Sequence, residues 1–227
     1  MKHAFAILLA CVMLLTGLAL AEPAVIACVG DSLTYGVKPN TMGEQSENAY
    51  PTVLNALLGE DYEVQNYGKP GSTLTEKGVC YRNRDVYQES LDAAADMVII
   101  MLGTNDANVE CEWDAALFES DLNDMVDAYR AARADTIVYL MAPPAVFMES
   151  ASGAFVMDAD LLRGELRDIV SRVASEKGTG YIDLFAATEA HPEWMGGDGV
   201  HFLDEGYLQV ANVVYEGIRE DAAKLIG

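Results

Sequence analysis

Five short apolar runs recur along the chain, separated by longer segments of helical spacing, and this alternation constrains the fold more than any other feature. The runs are AVIACV at 24–29, YEVQNY at 62–67, MVIIML at 97–102, TIVYLM at 136–141 and GYIDLF at 180–185. Most are apolar at successive positions, as strands covered on both faces must be. Helical spacing covers 50–58, 86–95, 113–133, 158–177 and 204–226. Strand and helix in turn imply parallel strands joined by right-handed crossovers. The pattern predicts an α/β fold, a three-layer α/β/α sandwich with a five-stranded parallel sheet. Within 113–133, Leu117, Leu122, Met125, Val126 and Tyr129 fall near one stripe while Glu119, Asp121, Asp124 and Asp127 fall elsewhere. That helix is expected to pack by one face and present its acids to solvent.

The first residues stand outside this pattern. Lys2 precedes an apolar run from Ala4 to Leu20, with small residues at Ala19 and Ala21, the outline of a secretory signal peptide cut after Ala21. The run falls slightly short of the ~20 residues that a spanning helix needs. Leu8-Leu9-Ala10-Cys11 faintly resembles a lipoprotein attachment site, but Cys11 lies inside the apolar run and not at its end. Cleavage would leave 206 of the 227 residues, 22–227, the size of a single domain. Lys2 is the only charged residue removed, so the net charge of −22 becomes −23. Such a surface repels nucleic acid and anionic lipid and suits a neutral or cationic partner; it serves the solubility of an exported protein equally well. Of four cysteines, Cys11 leaves with the signal. In an oxidising compartment Cys80 and Cys111, both in polar loops, are expected to form a disulfide, with Cys28 a buried free thiol in the first strand. No cysteine–histidine spacing suggests zinc.

No repeat, low-complexity tract or linker marks a second domain. The longer aperiodic stretches, 36–48, 71–85, 143–157 and 186–200, each follow the carboxyl end of an expected strand. In open α/β sheets ligands bind at that edge. There the first strand runs into Gly30-Asp31-Ser32, which would stand the Ser32 hydroxyl beside free backbone N–H groups; the alternative for Ser32 is a helix cap. The second strand is followed by NYGKPGSTL, in which Gly68 and Gly71 let backbone approach a ligand, and the third by MLGTNDAN with Asn105 and Asp106. Each of these is also an ordinary turn composition.

Near the end, GGDGVHFLDEGY places Asp198 three residues before His201. With His3 in the signal, a catalytic imidazole must be His191 or His201, and only His201 has an acid three positions before it. A serine nucleophile needs an imidazole to take its proton, the imidazole needs a carboxylate on its other nitrogen, and the tetrahedral oxyanion needs hydrogen-bond donors.

Four blocks, GDSL at 30–33, the glycine block at 66–73, GTND at 103–106 and DGVH at 198–201, resemble in order those of the SGNH hydrolases, also called GDSL esterases. The resemblance extends from Val25 to about Tyr215. It implies a flavodoxin-like fold, Ser32 as nucleophile, His201 as general base, Asp198 as its orienting acid, and an oxyanion hole of the Ser32 and Gly71 N–H groups and the Asn105 amide. Gly68 competes with Gly71, and Phe202 stands where many members have proline. Asp31 is expected to hold the turn through backbone N–H groups. No cofactor or metal is implied. The Gly-x-Ser-x-Gly elbow of α/β-hydrolases is absent around Ser32.

The chain looks most like secreted bacterial carbohydrate acetylesterases, which implies a small-molecule or oligosaccharide ester as substrate; the acidic charge speaks against a nucleic-acid partner, and cleavage after Ala21 against membrane insertion. Tyr35, Tyr81 and Trp194 are candidates to stack on sugar rings, each with partial burial as the alternative. A lysophospholipase or thioesterase of the same family, wanting a longer apolar groove, and a non-catalytic carbohydrate-binding protein are the competing readings. Activity is expected to fall below a pH near 6.5, where an ordinary imidazole protonates.

Overall fold

The computed structural model describes residues 22–147 and 156–227; residues 1–21, where a signal segment with Cys11 is expected, and part of the 143–157 stretch lie outside them. In chain order the elements are β1 (Ala24–Gly30), α1 (Ser32–Tyr35), α2 (Tyr50–Leu58), β2 (Tyr62–Gly68), β3 (Ser72–Thr73), β4 (Val79–Cys80), α3 (Asp85–Asp92), β5 (Met97–Met101), α4 (Ala115–Ala132), β6 (Ile137–Ala142), α5 (Ala159–Leu161), α6 (Arg167–Lys177), β7 (Gly180–Asp183), α7 (Leu184–Thr188) and α8 (Asp204–Ala222). A π-turn at Leu162–Leu166 joins α5 to α6. Thus the helix expected over 158–177 is continuous in course but widened by one turn.

The main sheet has the order β2-β1-β5-β6-β7, all parallel, as the alternation predicts. Burial on both faces explains the uninterrupted apolar runs. Ala27, Val29, Val98 and Ile100 point into one core with Phe118, Met125 and Val126 of α4 and Ile169 and Val173 of α6. Their neighbours Ile26, Cys28, Met97 and Ile99 point into the other, with Leu54 of α2 and Val210 and Val214 of α8. Successive side chains leave a strand on opposite faces, so each central strand serves both layers.

Several boundaries differ from expectation for local reasons. β7 stops at Asp183, not at residue 185, because the Asp183 carboxylate caps α7 by accepting the Ala186 N–H. Asp121, expected on the exposed face of α4, is buried, where it pairs with Arg82. Phe118, not Leu117, fills the buried stripe at that level. The two-stranded parallel ribbon β3-β4 has too little apolar content to be seen in the sequence. The expected disulfide is not formed: Cys80 and Cys111 are free thiols. The buried Cys80 thiol donates to the Leu74 carbonyl at 3.3 Å, so its polar group is satisfied within the ribbon. Cys28 is a buried free thiol as anticipated, and burial pushes it up to about 12.

The chain crosses from one side of β1 to the other at this edge, β2 lying on one flank and β5 on the other. Loops leaving β1 and β5 therefore diverge and open a crevice outside the carboxyl ends of the strands.

Candidate active site

Ser32 sits where β1 breaks into α1. The cap of α1 is Asp31, whose Oδ1 accepts the Leu33 N–H at 2.9 Å, so Ser32 is the first helical residue and not the cap. Its hydroxyl lies 2.9 Å from His201 Nε2, across 169 positions of sequence. His201 Nδ1 lies 2.9 Å from Asp198 Oδ2. A carboxylate at Nδ1 makes that nitrogen the donor and leaves Nε2 to accept.

The Asp198 carboxylate is held by more than the ring. Oδ1 accepts the N–H groups of Val200 and His201 at 3.1 and 2.9 Å, and Oδ2 the N–H of Asn40 at 3.4 Å. Burial pushes this carboxyl upward. The His201 ring and the backbone N–H groups outweigh that effect and hold it well below the usual carboxylate range. Asn40, in a left-handed conformation with φ 58°, belongs to a loop bolted to the histidine segment: Gly196 packs on Pro39, and Ser46 Oγ donates to Asp204 Oδ1 at 2.6 Å. Sequence gave no sign of this contact, because a backbone N–H leaves no signature in residue identity.

Asn105 follows β5 and directs its side-chain amide to the Ser72 carbonyl at 3.0 Å and Asp31 Oδ2 at 3.3 Å. Asp31 thus joins the nucleophile turn to Asn105 as well as capping α1. Complete burial pushes the Asp31 carboxyl up to about 6, against the lowering effects of the Leu33 N–H and the His201 ring. Asp106, whose block also reads as an ordinary turn, is buried and staples the neighbouring segment: it accepts the Leu74 N–H at 2.8 Å, and the Thr75 N–H and hydroxyl at 3.0 and 2.9 Å.

The two glycines of the second block differ in their surroundings. A Cβ on Gly68 would collide with the Tyr35 backbone, so that glycine permits β2 to pass under α1. Gly71 has φ +75° and would meet nothing within 4 Å; it lines the crevice. A cavity of about 450 Å³ opens there. Ser32, Gly71, Asn105, Asp198 and His201 all border it, and Val37, Met42, Pro70, Met157 and Val200 make much of the remaining wall apolar.

Other candidates lie elsewhere. His191 is 2.8 Å from Glu193 Oε1 and stacks on Trp194 with ring centroids 3.9 Å apart. Tyr81 is fully buried and donates its hydroxyl to the Tyr67 carbonyl at 2.7 Å, which removes it from any sugar platform. None of Tyr35, Tyr81 and Trp194 borders the cavity. Among the described residues no cluster of three or more metal-ligating side chains occurs, and no helix is long and apolar enough to cross a membrane.

Comparison with known proteins agrees with this architecture. Residues 28–208 match the GDSL-like Lipase/Acylhydrolase family. An acetylxylan esterase of Xylanibacter ruminicola is 27% identical over 212 residues, 86% of this chain. The chain spans only 43% of that relative's length. A lipase/acylhydrolase of Enterococcus faecalis superposes with TM-score 0.69 at 25% identity, covering 87% of this chain and 96% of the other. A carbohydrate acetylesterase family member of Sinorhizobium meliloti superposes with TM-score 0.70 at 21% identity over 90% and 99% of the two chains, a likeness of fold.

Proposed function

The chain belongs to the GDSL-like lipase/acylhydrolase family, and from that premise we propose that it is an exported serine esterase removing short acyl groups, acetyl above all, from carbohydrate. The observation that carries the reading is the 2.9 Å approach of His201 Nε2 to Ser32 Oγ, with Asp198 on the other ring nitrogen. In the proposed reaction Ser32 Oγ attacks the ester carbonyl while Nε2 takes its proton. The new C–O bond leaves the negative charge on the former carbonyl oxygen, facing the N–H groups of Ser32 and Gly71 and the Asn105 amide. Collapse breaks the bond to the alcohol, which leaves with the proton from His201. Water then repeats the sequence on the acyl-enzyme and regenerates Ser32.

Asp198 steadies the imidazolium formed in each half-reaction. Held well below the usual carboxylate range by the ring and the backbone N–H groups, Asp198 stays ionised and supplies the negative charge that the imidazolium needs. No step requires a metal or an organic cofactor.

The carbohydrate acetyl preference is supported by the Xylanibacter ruminicola relative described as an acetylxylan esterase. It is also supported by an open cavity whose polar edge, at Asn40 and Thr41, offers groups for sugar hydroxyls. Export is supported by the apolar run that follows Lys2. The test is a series of nitrophenyl esters of rising acyl length, run beside acetylated xylooligosaccharides. The expected result is highest kcat/KM for acetyl and release of acetate from the sugar. Rising kcat/KM toward long acyl chains would favour a lysophospholipase or thioesterase, and no labelling of Ser32 by a serine-reactive phosphonate would leave a non-catalytic binding protein.

A further inference from the structure

Arg84 lies just before α3, outside the four sequence blocks, and its guanidinium reaches back to the segment that carries Gly71. Its Nη2 donates to the Pro70 carbonyl at 3.1 Å and its Nε to the Ser72 hydroxyl at 3.4 Å. One planar fork therefore grips the chain on both sides of Gly71. The Ser72 carbonyl in turn accepts the Asn105 side-chain amide at 3.0 Å. Alongside, Lys69 pairs with Asp85 at 2.8 Å, so residues on both sides of the crossing are joined.

The need for such a grip follows from Gly71 itself. With no side chain and nothing within 4 Å of a Cβ position, it is held locally only by the turn that the Ser72 N–H closes on the Lys69 carbonyl at 3.2 Å. Glycine also loses the most conformational freedom on being ordered. A catalytic donor must nonetheless be fixed before the reaction if it is to stabilise developing charge without reorganising. The chain carries 36 acidic and only 14 basic residues, and several other arginines pair with carboxylates, such as Arg133 with Asp96 and Arg172 with Glu119. Arg84 directs its donors to a carbonyl and a hydroxyl. Two donors held in one plane suit that task, which a single ammonium cannot reproduce.

We infer that Arg84 is a positioning residue of the oxyanion site, holding the Gly71 N–H directly and the Asn105 amide through Ser72 at a fixed spacing from the Ser32 hydroxyl. The inference rests on the serine-esterase reading and adds a residue to it. Arg84 touches no reacting atom; its effect is exerted through backbone geometry, where a displacement of about 1 Å can cost about a hundredfold in rate.

The test is steady-state kinetics on a short-chain nitrophenyl ester for wild type, Arg84→Ala and Arg84→Lys. Affinity for a boronate that forms a tetrahedral adduct on Ser32 and thermal unfolding are measured in parallel. Arg84→Ala is expected to lose about ten- to a hundredfold in kcat with little change in KM. Boronate affinity should fall by a similar factor, and millimolar methylguanidinium should restore part of kcat. Arg84→Lys should fall between, since one ammonium nitrogen replaces two nitrogens held at a fixed spacing. A folded Arg84→Ala with kcat within twofold of wild type would overturn the inference, as would a loss that methylguanidinium does not relieve. If Arg84→Ala does not fold, Arg84→Lys decides: at least a fivefold loss of kcat at unchanged KM supports the inference, and a smaller loss overturns it. A wild-type protein that neither hydrolyses the ester nor is labelled at Ser32 would instead overturn the esterase reading beneath it.

Discussion

His201 Nε2 stands 2.9 Å from Ser32 Oγ, and the Asp198 carboxylate stands 2.9 Å from the opposite nitrogen of the same ring. All three residues are nearly buried, at 7–8% exposure, yet border the open cavity, so the hydrogen bonds are shielded while the nucleophile is reachable. Asp198→Asn would present an amide to Nδ1 and favour the tautomer with the proton on Nε2, unable to accept from Ser32. A loss of about ten-thousand-fold in kcat is expected, measured with a chromogenic acetate ester in a variant whose circular dichroism matches wild type. Ser32→Ala should abolish turnover and phosphonate labelling together; retained turnover would remove Ser32 from the mechanism.

The Asn105 amide donates to the Ser72 carbonyl at 3.0 Å and more loosely to Asp31 at 3.3 Å, so it is oriented before any substrate arrives, and the longer bond is the one it exchanges for the oxyanion. Asn105→Ala is expected to lower kcat by about a hundred- to a thousandfold through loss of an oxyanion donor. A residue that merely formed a turn would lower the unfolding midpoint and leave kcat of the folded fraction intact.

Gly68 and Gly71, three positions apart, should respond oppositely to alanine. Gly68→Ala drives a Cβ into the Tyr35 backbone, where neither strand nor helix can yield, and severe loss of stability or failure to fold is expected. Gly71→Ala meets open space but keeps a left-handed φ, which costs an L-residue about 1–2 kcal/mol. It should fold, with a modestly lower denaturation midpoint and its main defect in kcat.

Asp31 supplies a pH test with a definite sign. Its carboxyl is raised from 3.8 to about 6 by burial, so between those values the unfolded chain has released a proton that the folded chain retains. Stability from this group is therefore greatest below pH 3.8 and falls as pH rises to about 6, by about 3 kcal/mol in all. Asp31→Asn cannot titrate. Denaturant unfolding from pH 4 to 7 should show wild type losing stability relative to the variant across that window, and a constant difference would contradict the burial argument. The variant carries a separate, pH-independent penalty, because its amide cannot accept from both Leu33 and Asn105.

Tyr81 illustrates a residue whose chemistry suits a sugar but whose position does not. Tyr81→Phe removes the donor to the Tyr67 carbonyl and should reduce stability by about 1 kcal/mol. The KM for an acetylated xylooligosaccharide should be unchanged, and a raised KM would return Tyr81 to the substrate surface.

The repetition of apolar runs and helical segments was enough to establish five parallel strands between helical layers, because burial on both faces must be written into every strand position. Ser32, Gly71, Asn105, Asp198 and His201 were also legible, since each belongs to a short block, three of those blocks just past a strand's carboxyl end and the fourth just ahead of α8. The ordering of β2 beside β1, the pairing of Asp121 with Arg82, the thiol of Cys80 turned to Leu74, and the burial of Tyr81 were not legible. Nor were Asn40 at Asp198 and Arg84 across Gly71. These depend on which distant segments come within about 3 Å of one another, and hydrogen bonds to backbone atoms are indifferent to the identity of the residue that supplies them. Local periodicity and block composition are properties of the chain alone, whereas the positioning of donors around a cavity is decided only when the sheet assembles and its loops are pressed together.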